Sequence, residues 1–340
     1  MGLQELEATA RALVAPGKGI LAADESTGTI KKRFDSIGVE STEENRRAYR
    51  EMLLTTPGME EFISGVIMYD ETIRQADSGG SAFTTILDEH GVIPGIKVDT
   101  GAKPLAGFPG EQVTEGLDGL RERLAEYYEL GARFTKWRAV ITIGSGIPTQ
   151  ACIDANAEAL ARYAALSQEA GLVPIVEPEV LMDGGHTIEE SSKASGRALQ
   201  AVYTELHDQR LDLYGTLLKP NMVLSGYDAS DRAGVDDVAE ATLDVLYRHV
   251  PAAVPGIVFL SGGQTDEDAT AHLNAMNARG PHPWELSFSY GRALQAPALK
   301  AWGGDPGSVE DAQKAFYRRA KFNGAARTGS YAPEMETAAA

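Results

Sequence analysis

The sequence predicts an α/β fold of the TIM-barrel type, a closed parallel (β/α)8 barrel. Three observations predict it. A short apolar stretch with a polar end, followed by a longer helical pattern, recurs eight times along the 340 residues. These stretches start roughly 30 to 45 residues apart, which suits one strand, one helix and two loops per unit. An open doubly wound sheet would carry a Gly-rich nucleotide turn near its start, and only a weak "GSG" at 144–146 is present.

The elements follow in order. "MGLQELEATARAL" reads as a short amphipathic helix ahead of the first unit. The strand candidates are then "KGILAADES", "FISGVIMYDET", "VIPGIKVDT", "ARFTKWRAVITI", "LVPIVEPEVL", "YGTLLKPNM", "PGIVFLSGGQ" and "WELSFSYGRAL". Between the third and fourth, "VTEGLDGLRERLAEYYELG" has leucines at helical spacing and stops at Gly131. "TQACIDANAEALARYAALSQEAG" behaves likewise and stops at Gly171. No linker or low-complexity block interrupts the chain before its last dozen residues. The expected organisation is one barrel domain over 1–327 and a flexible tail over 328–340.

Composition narrows the function. The hydrophobic content of 43% can fill one large core, and no segment is long and apolar enough to span a membrane. The formal charge is −18, with no Lys/Arg-rich patch, which argues against nucleic acid or an anionic membrane as partner. A small anionic substrate remains compatible where a few basic residues converge. The single cysteine, Cys152, rules out an intrachain disulfide, and together with the N-terminal pattern it sets a cytoplasmic expectation.

A barrel places its catalytic groups at the C-terminal ends of several strands. The polar residues of the eight stretches do fall late: Asp24 and Glu25, Asp70, Lys97 and Asp99, Lys136 and Arg138, Glu177 and Glu179, Lys219, Ser261, Arg292. Any one of them alone reads as a solvated strand end. Lys219 is the most pointed case, because it interrupts the apolar run "YGTLLKPNMVLSG". Such a lysine either snorkels its charge to water or is placed to react. Three lysines among several carboxylates form a charge-balanced cluster able to hold proton affinities apart.

The tracts "GKGILAADESTGTIKKRF", "STEENRRAYR", "VDTG", "KWRAV", "VPIVEPEVL", "LLKPNMV", "FLSGGQ" and "SFSYGRALQ" occur in this order over nearly the whole chain. In them the sequence resembles the class I fructose-1,6-bisphosphate aldolases. The resemblance implies a (β/α)8 barrel, a homotetramer, no metal and no cofactor. It also implies reversible cleavage of fructose 1,6-bisphosphate, a phosphosugar, to dihydroxyacetone phosphate and glyceraldehyde 3-phosphate. Residue by residue, it assigns the Schiff-base lysine to Lys219, the carboxylate at the C4 hydroxyl to Asp24, the proton-shuttling glutamate to Glu177 and a second active-site lysine to Lys136. Substrate and phosphate contacts fall on Ser26, Thr29, Lys32, Arg33, Arg46, Lys97, Arg138, Ser261, Gly262, Gly263, Ser289, Tyr290, Gly291 and Arg292.

The chemistry explains these residue types. Breaking the C3–C4 bond of a ketose leaves a carbanion that water does not stabilise. A protonated imine at C2 supplies the electron sink. The attacking amine must be neutral, while a free lysine is almost wholly protonated at neutral pH. Leucines and a neighbouring cation such as Lys136 would penalise the ammonium form of Lys219. Glu177 and Asp24 suit the acid and base roles if their surroundings separate their proton affinities. "SGGQ" and "YGR" follow the seventh and eighth strands, where such barrels bind phosphate through backbone N–H groups.

Other readings are a metal-dependent aldolase, the same imine chemistry on sedoheptulose 1,7-bisphosphate, or a barrel that has lost its chemistry. The six histidines form no HxH or HExxH ligand pattern, and Asp24, Lys136, Glu177 and Lys219 form an intact set. In the tail, residues 332–340 carry no aromatic group. They are expected to be disordered and dispensable, although many members of the family end in a tyrosine that reaches the site.

Overall fold

The structure is a computed structural model and describes residues 2–337. Its strands are β1 (Gly19–Ala23), β2 (Ile63–Met68), β3 (Ile93–Lys97), β4 (Gly101–Pro104), β5 (Gln112–Glu115), β6 (Phe134–Ile141), β7 (Val173–Val180), β8 (Leu217–Leu218), β9 (Gly256–Phe259) and β10 (Glu285–Tyr290). The helices are α1 (Leu3–Leu13), α2 (Thr27–Asp35), α3 (Glu43–Leu54), α4 (Asp70–Ile73), α5 (Phe83–Glu89), α6 (Leu120–Glu129) and α7 (Gln150–Glu169). They continue with α8 (Ile188–Asp208), α9 (Val235–His249), α10 (Asp266–Asn277), α11 (Arg292–Trp302), α12 (Val309–Ala326) and α13 (Glu334–Thr337).

Eight of the strands close a parallel barrel in the order β1-β10-β9-β8-β7-β6-β3-β2. Each of them lies within one of the eight stretches read as strands. The remaining two, β4 and β5, form a separate antiparallel hairpin. This hairpin corrects the helix expected to begin at Val113. Val113 and Thr114 pair with Lys103 and Ala102, and Thr114 donates its hydroxyl to the Arg138 carbonyl at 2.7 Å. Gly116 (φ 132) and Gly119 (φ 63) then break the chain, so α6 starts only at Leu120.

Strand period decides which side chains enter the barrel. Ile20, Ala22, Ile67, Phe134, Val173, Ile175, Leu217 and Val258 pack together inside it, with Leu6, Ala10 and Leu13 of α1. Helix α1 therefore plugs the N-terminal end of the barrel. Phe134 fills this floor only because β3 carries Gly95, where an added Cβ would lie 2.3 Å from the ring. The outward-facing residues meet the helices: Trp137 of β6 stacks on Tyr163 of α7 with ring centroids 5.5 Å apart.

β8 is two residues long because Pro220 ends it. The Lys219 N–H still donates to the Val176 carbonyl (2.8 Å), and Asn221 accepts from the Val180 N–H (3.0 Å), so side chain replaces ladder. Lys219 is thereby held at the rim of a packed strand. At the other end of the chain, residues 332–337, expected to be disordered, are placed against α12. The Glu336 carboxylate pairs with Arg319 and accepts from the Tyr331 hydroxyl at 3.0 Å. Residues 338–340 of that expectation lie outside the described residues.

Candidate active site

The C-terminal mouth of the barrel opens into a cavity of about 200 Å³. A larger cleft of about 1010 Å³ lies outside the barrel along α8 and α9, but it is lined mainly by exposed or half-exposed side chains. The mouth is where buried charges converge. Along β6 and β7 and just past β8 the interior residue changes from apolar to ionisable within one strand period: Phe134 to Lys136, Ile175 to Glu177, Leu217 to Lys219.

These charges form an alternating chain. Lys219 Nζ lies 3.2 Å from Glu177 Oε1, and Lys136 Nζ lies 3.4 Å from Glu177 Oε2. Lys136 Nζ reaches Asp24 Oδ2 at 2.7 Å and Asp99 Oδ2 at 3.9 Å, while Lys97 pairs with Asp99 Oδ1 at 3.4 Å. Lys136, Glu177 and Lys219 are each buried. Burial alone would raise the Asp24 and Glu177 carboxyls, but the lysines outweigh it. Lys136, Lys219 and Lys97 hold Asp24 well below the usual carboxylate range, and Lys219, Lys136 and Arg138 pull Glu177 down. For Lys136, burial opposes the charge, yet Asp24, Glu177 and Asp99 push its value up. In the ligand-free site both carboxylates are therefore ionised and Lys136 is an ammonium.

Two expectations change. Neither Glu177 nor Asp24 is raised towards the range of a neutral acid. The group against Lys219 is also a carboxylate, Glu177, and Lys136, the cation expected beside the amine, stands on the far side of that carboxylate.

The other walls are cationic. Ser261 and Gly262 follow β9, and Ser289, Gly291 and Arg292 end β10 and begin α11. Helix α11 has no side-chain N-cap, so the N-terminus at this wall is open to an anion. The buried Ser289 hydroxyl has no hydrogen-bond partner among the described residues. Opposite, Arg33 pairs with Glu25 at 3.3 Å, and Ser26 and Thr29 share a 3.1 Å hydrogen bond. Arg138 pairs with Glu179 at the rim. Among the lining residues, Arg33, Lys97, Lys136, Arg138, Lys219 and Arg292 outnumber Asp24, Glu25, Glu177 and Glu179. A chain of net charge −18 thus has a cavity suited to an anion.

Most residues singled out in the sequence meet here: Asp24, Ser26, Thr29, Arg33, Lys97, Lys136, Arg138, Glu177, Lys219, Ser261, Gly262, Ser289, Gly291 and Arg292 all line the cavity. Gly263 sits just behind, against the Arg292 guanidinium. Lys32 is exposed on α2. Arg46 is engaged by Glu71 and the Ser41 carbonyl and does not line the cavity. The Tyr290 side chain points outward, its hydroxyl donating to the Ala269 carbonyl of α10.

Sequence reasoning noticed Glu25 and Glu179 as late strand residues but assigned them no role. Glu25 receives Arg50 (2.8 Å) and Gln295 (3.1 Å) as well as Arg33. A charged residue beside Asp24 at a strand end was the available signal. Arg50 and Gln295 lie on helix faces and carried none.

Comparison with known proteins agrees with this geometry. The family model for class-I fructose-bisphosphate aldolase matches residues 5–340. The probable class 1 fructose-bisphosphate aldolase of Xylella fastidiosa is 59% identical over 97% of this chain and 99% of its own. The cytosolic fructose-bisphosphate aldolase 4 of Arabidopsis thaliana is 56% identical over 96% of this chain and 84% of its own. The crystal structure of the Plasmodium falciparum aldolase, solved with TRAP and a small-molecule inhibitor, superposes with a TM-score of 0.96. It is 49% identical and covers 97% of this chain and 95% of that one. Matched over nearly its whole length by the family model and by these relatives, the chain belongs to the class-I fructose-bisphosphate aldolase family.

Proposed function

We propose that the mouth of the barrel cleaves fructose 1,6-bisphosphate reversibly to dihydroxyacetone phosphate and glyceraldehyde 3-phosphate, through an imine on Lys219. The observation that carries this reading is the alternating chain Lys219–Glu177–Lys136–Asp24, buried from Lys219 to Lys136 and reaching the cavity at Asp24. It gives each step a proton carrier within reach.

Glu177 starts as a carboxylate 3.2 Å from the Lys219 amine. It takes a proton from Lys219, so that the neutral amine can attack the C2 carbonyl. The same carboxyl then returns the proton to the leaving hydroxyl of the carbinolamine, and water departs as the iminium forms. Asp24, kept ionised by Lys136, takes the C4 hydroxyl proton as the C3–C4 bond breaks and its electron pair enters the enamine. Lys136 remains the fixed positive charge that both carboxylates face. Arg292 with the 261–263 loop takes one phosphate. Arg33, with Ser26, Thr29 and Lys97, takes the other.

The same reading makes 1–327 one catalytic domain and 328–340 a tail. It also carries a homotetramer, supported by family membership, and a cytoplasmic location, supported by the cytosolic Arabidopsis relative and the lone cysteine. Light scattering on the purified chain tests the tetramer.

Borohydride reduction in the presence of dihydroxyacetone phosphate and EDTA tests the chemistry. One covalent adduct at Lys219 is expected, with loss of activity. No adduct, or an adduct at another lysine, sinks the assignment.

A further inference from the structure

The turn after β9 is built to present two peptide N–H groups, and side chains outside the cavity hold it. Gly262 (φ 59) and Gly263 (φ 99) both lie in the left-handed region. A Cβ on Gly262 would also fall 2.2 Å from Met182 Cε. The two carbonyls of the turn are each tied down. The Ser261 carbonyl accepts from the backbone N–H of Gln264 (3.0 Å) and from its Nε2 (3.1 Å). The Gly262 carbonyl accepts from the Tyr227 hydroxyl (3.1 Å). In a trans peptide the N–H points opposite to the carbonyl. Fixing these two oxygens therefore aims the N–H groups of Gly262 and Gly263 the other way.

Gln264 is itself held. Its Oε1 can only accept, so the 2.6 Å contact with His272 Nδ1 is an imidazole N–H donating to it. That leaves the amide nitrogen of Gln264 facing the Ser261 carbonyl. His272 is 6% exposed, and burial keeps its imidazole down at about 4, with Arg232 adding to that and Asp268 opposing it. The ring is therefore neutral at ordinary pH and keeps one N–H for this bond. Tyr227 is steadied by the Arg232 guanidinium, 5.3 Å from its ring centroid.

We propose that Tyr227 and the Gln264–His272 pair are positioning residues, which aim the backbone N–H groups of Gly262 and Gly263 at the substrate phosphate held by Arg292. The proposal rests on the reading of this loop as a phosphate site. None of the three side chains is among those lining the cavity. They act through the loop alone.

The test measures kcat/KM for fructose 1,6-bisphosphate and for the fructose 1- and 6-monophosphates. Arg292→Ala serves as the calibrator: it should depress the bisphosphate and the one monophosphate that fills this subsite, and spare the other. Tyr227→Phe and His272→Leu should show the same selectivity at a smaller size, about fivefold, as for one lost hydrogen bond. His272→Asn, whose amide nitrogen can stand where Nδ1 stood, should restore most of the loss. Equal losses on all three sugars by Tyr227→Phe, or no loss, overturn the proposal. So does a His272→Asn enzyme as poor as His272→Leu. If Arg292→Ala itself shows no selectivity, the phosphate reading of the loop falls first, and this proposal with it.

Discussion

The floor and the mouth of the barrel are made by the same strands, two residues apart, and they are opposite in kind. Phe134, Ile175 and Leu217 pack against α1 in the floor, whereas Lys136, Glu177 and Lys219 are buried ionisable groups at the mouth. Apolar burial of this kind contributes roughly 25 cal/mol per Å². Buried ion pairs recover little or nothing beyond the cost of desolvating them. The floor therefore stabilises the fold, and the mouth spends part of that stability on reactivity. Arg327 reinforces the contrast. Its guanidinium donates to the Val14, Ala15, Lys18 and Leu286 carbonyls and so fastens α1 to the N-terminal rim.

If the division holds, substitutions at the mouth change chemistry and those in the floor change stability. Lys219→Met is the largest expected effect: activity should fall by on the order of 10⁴ or more, and trapping should vanish. The melting temperature should stay close to that of the unmodified chain, since Met keeps the length and Glu177 keeps Lys136. A melting temperature that collapsed with activity would break the comparison.

Lys136→Met crosses the boundary. It leaves Asp24, Glu177 and Asp99 without their shared cation. Loss of one partner of a buried pair costs about 3–5 kcal/mol, and here the surviving charges also repel. Activity should fall about 10³-fold. Because Asp24 and Glu177 would lose a cation that holds them down while burial still pushes them up, the variant should regain stability as pH falls. Thermal melts from pH 8 to pH 5 check the sign, and a variant that weakened further in acid would refute it.

Phe134→Ala is the floor's counterpart. Removing a fully buried ring from a packed site costs about 3–5 kcal/mol. Denaturant unfolding should show that loss, while kcat changes by less than about tenfold. A kcat loss near that of Lys136→Met would mean that floor packing sets the position of the lysine.

The contrast was partly legible in the sequence. Short apolar stretches with late polar residues located all eight barrel strands and the charged rim, because strand period and polarity are local properties. The hairpin of β4 and β5 was not legible: its residues are half exposed and Val113 continues into a helical leucine pattern. The charge states of Glu177 and Asp24 were missed for another reason. They depend on which of several lysines stands nearest, and that is set by barrel closure. Tyr227 and His272 lie in a loop and on a helix whose local patterns say nothing about a turn 35 and 10 residues away.

His272 offers a smaller effect with a definite pH window. The unfolded chain takes up this proton below about 6.5, the folded chain only below about 4. Stability is therefore complete above pH 6.5 and falls as pH drops towards 4, by up to about 3 kcal/mol. The groups facing the ring are Gln264, Asp268 and Arg232. In His272→Asn that part of the acid sensitivity should disappear, so the two stability curves should converge at acid pH. Parallel curves between pH 6.5 and pH 4.5 would show that the ring does not drive the loss.

The smallest effect belongs to the tail. Deleting 332–340 removes Glu336, which pairs with Arg319 and Arg318 and receives the Tyr331 hydroxyl. Arg319 is buried but keeps the Asp266 carbonyl (2.8 Å) and the Thr270 hydroxyl (2.6 Å), so it is not stranded. The expected stability loss is about 1–2 kcal/mol, in the range for two partly exposed ion pairs and a hydrogen bond. None of the described residues 332–337 lines the cavity. Cleavage of fructose 1,6-bisphosphate should stay within about threefold, a barrier change under ~1 kcal/mol. Detritiation of dihydroxyacetone phosphate, which follows enamine protonation, should be equally insensitive. A large fall in that exchange rate, with the melting temperature little changed, would place the tail in the chemistry of the mouth.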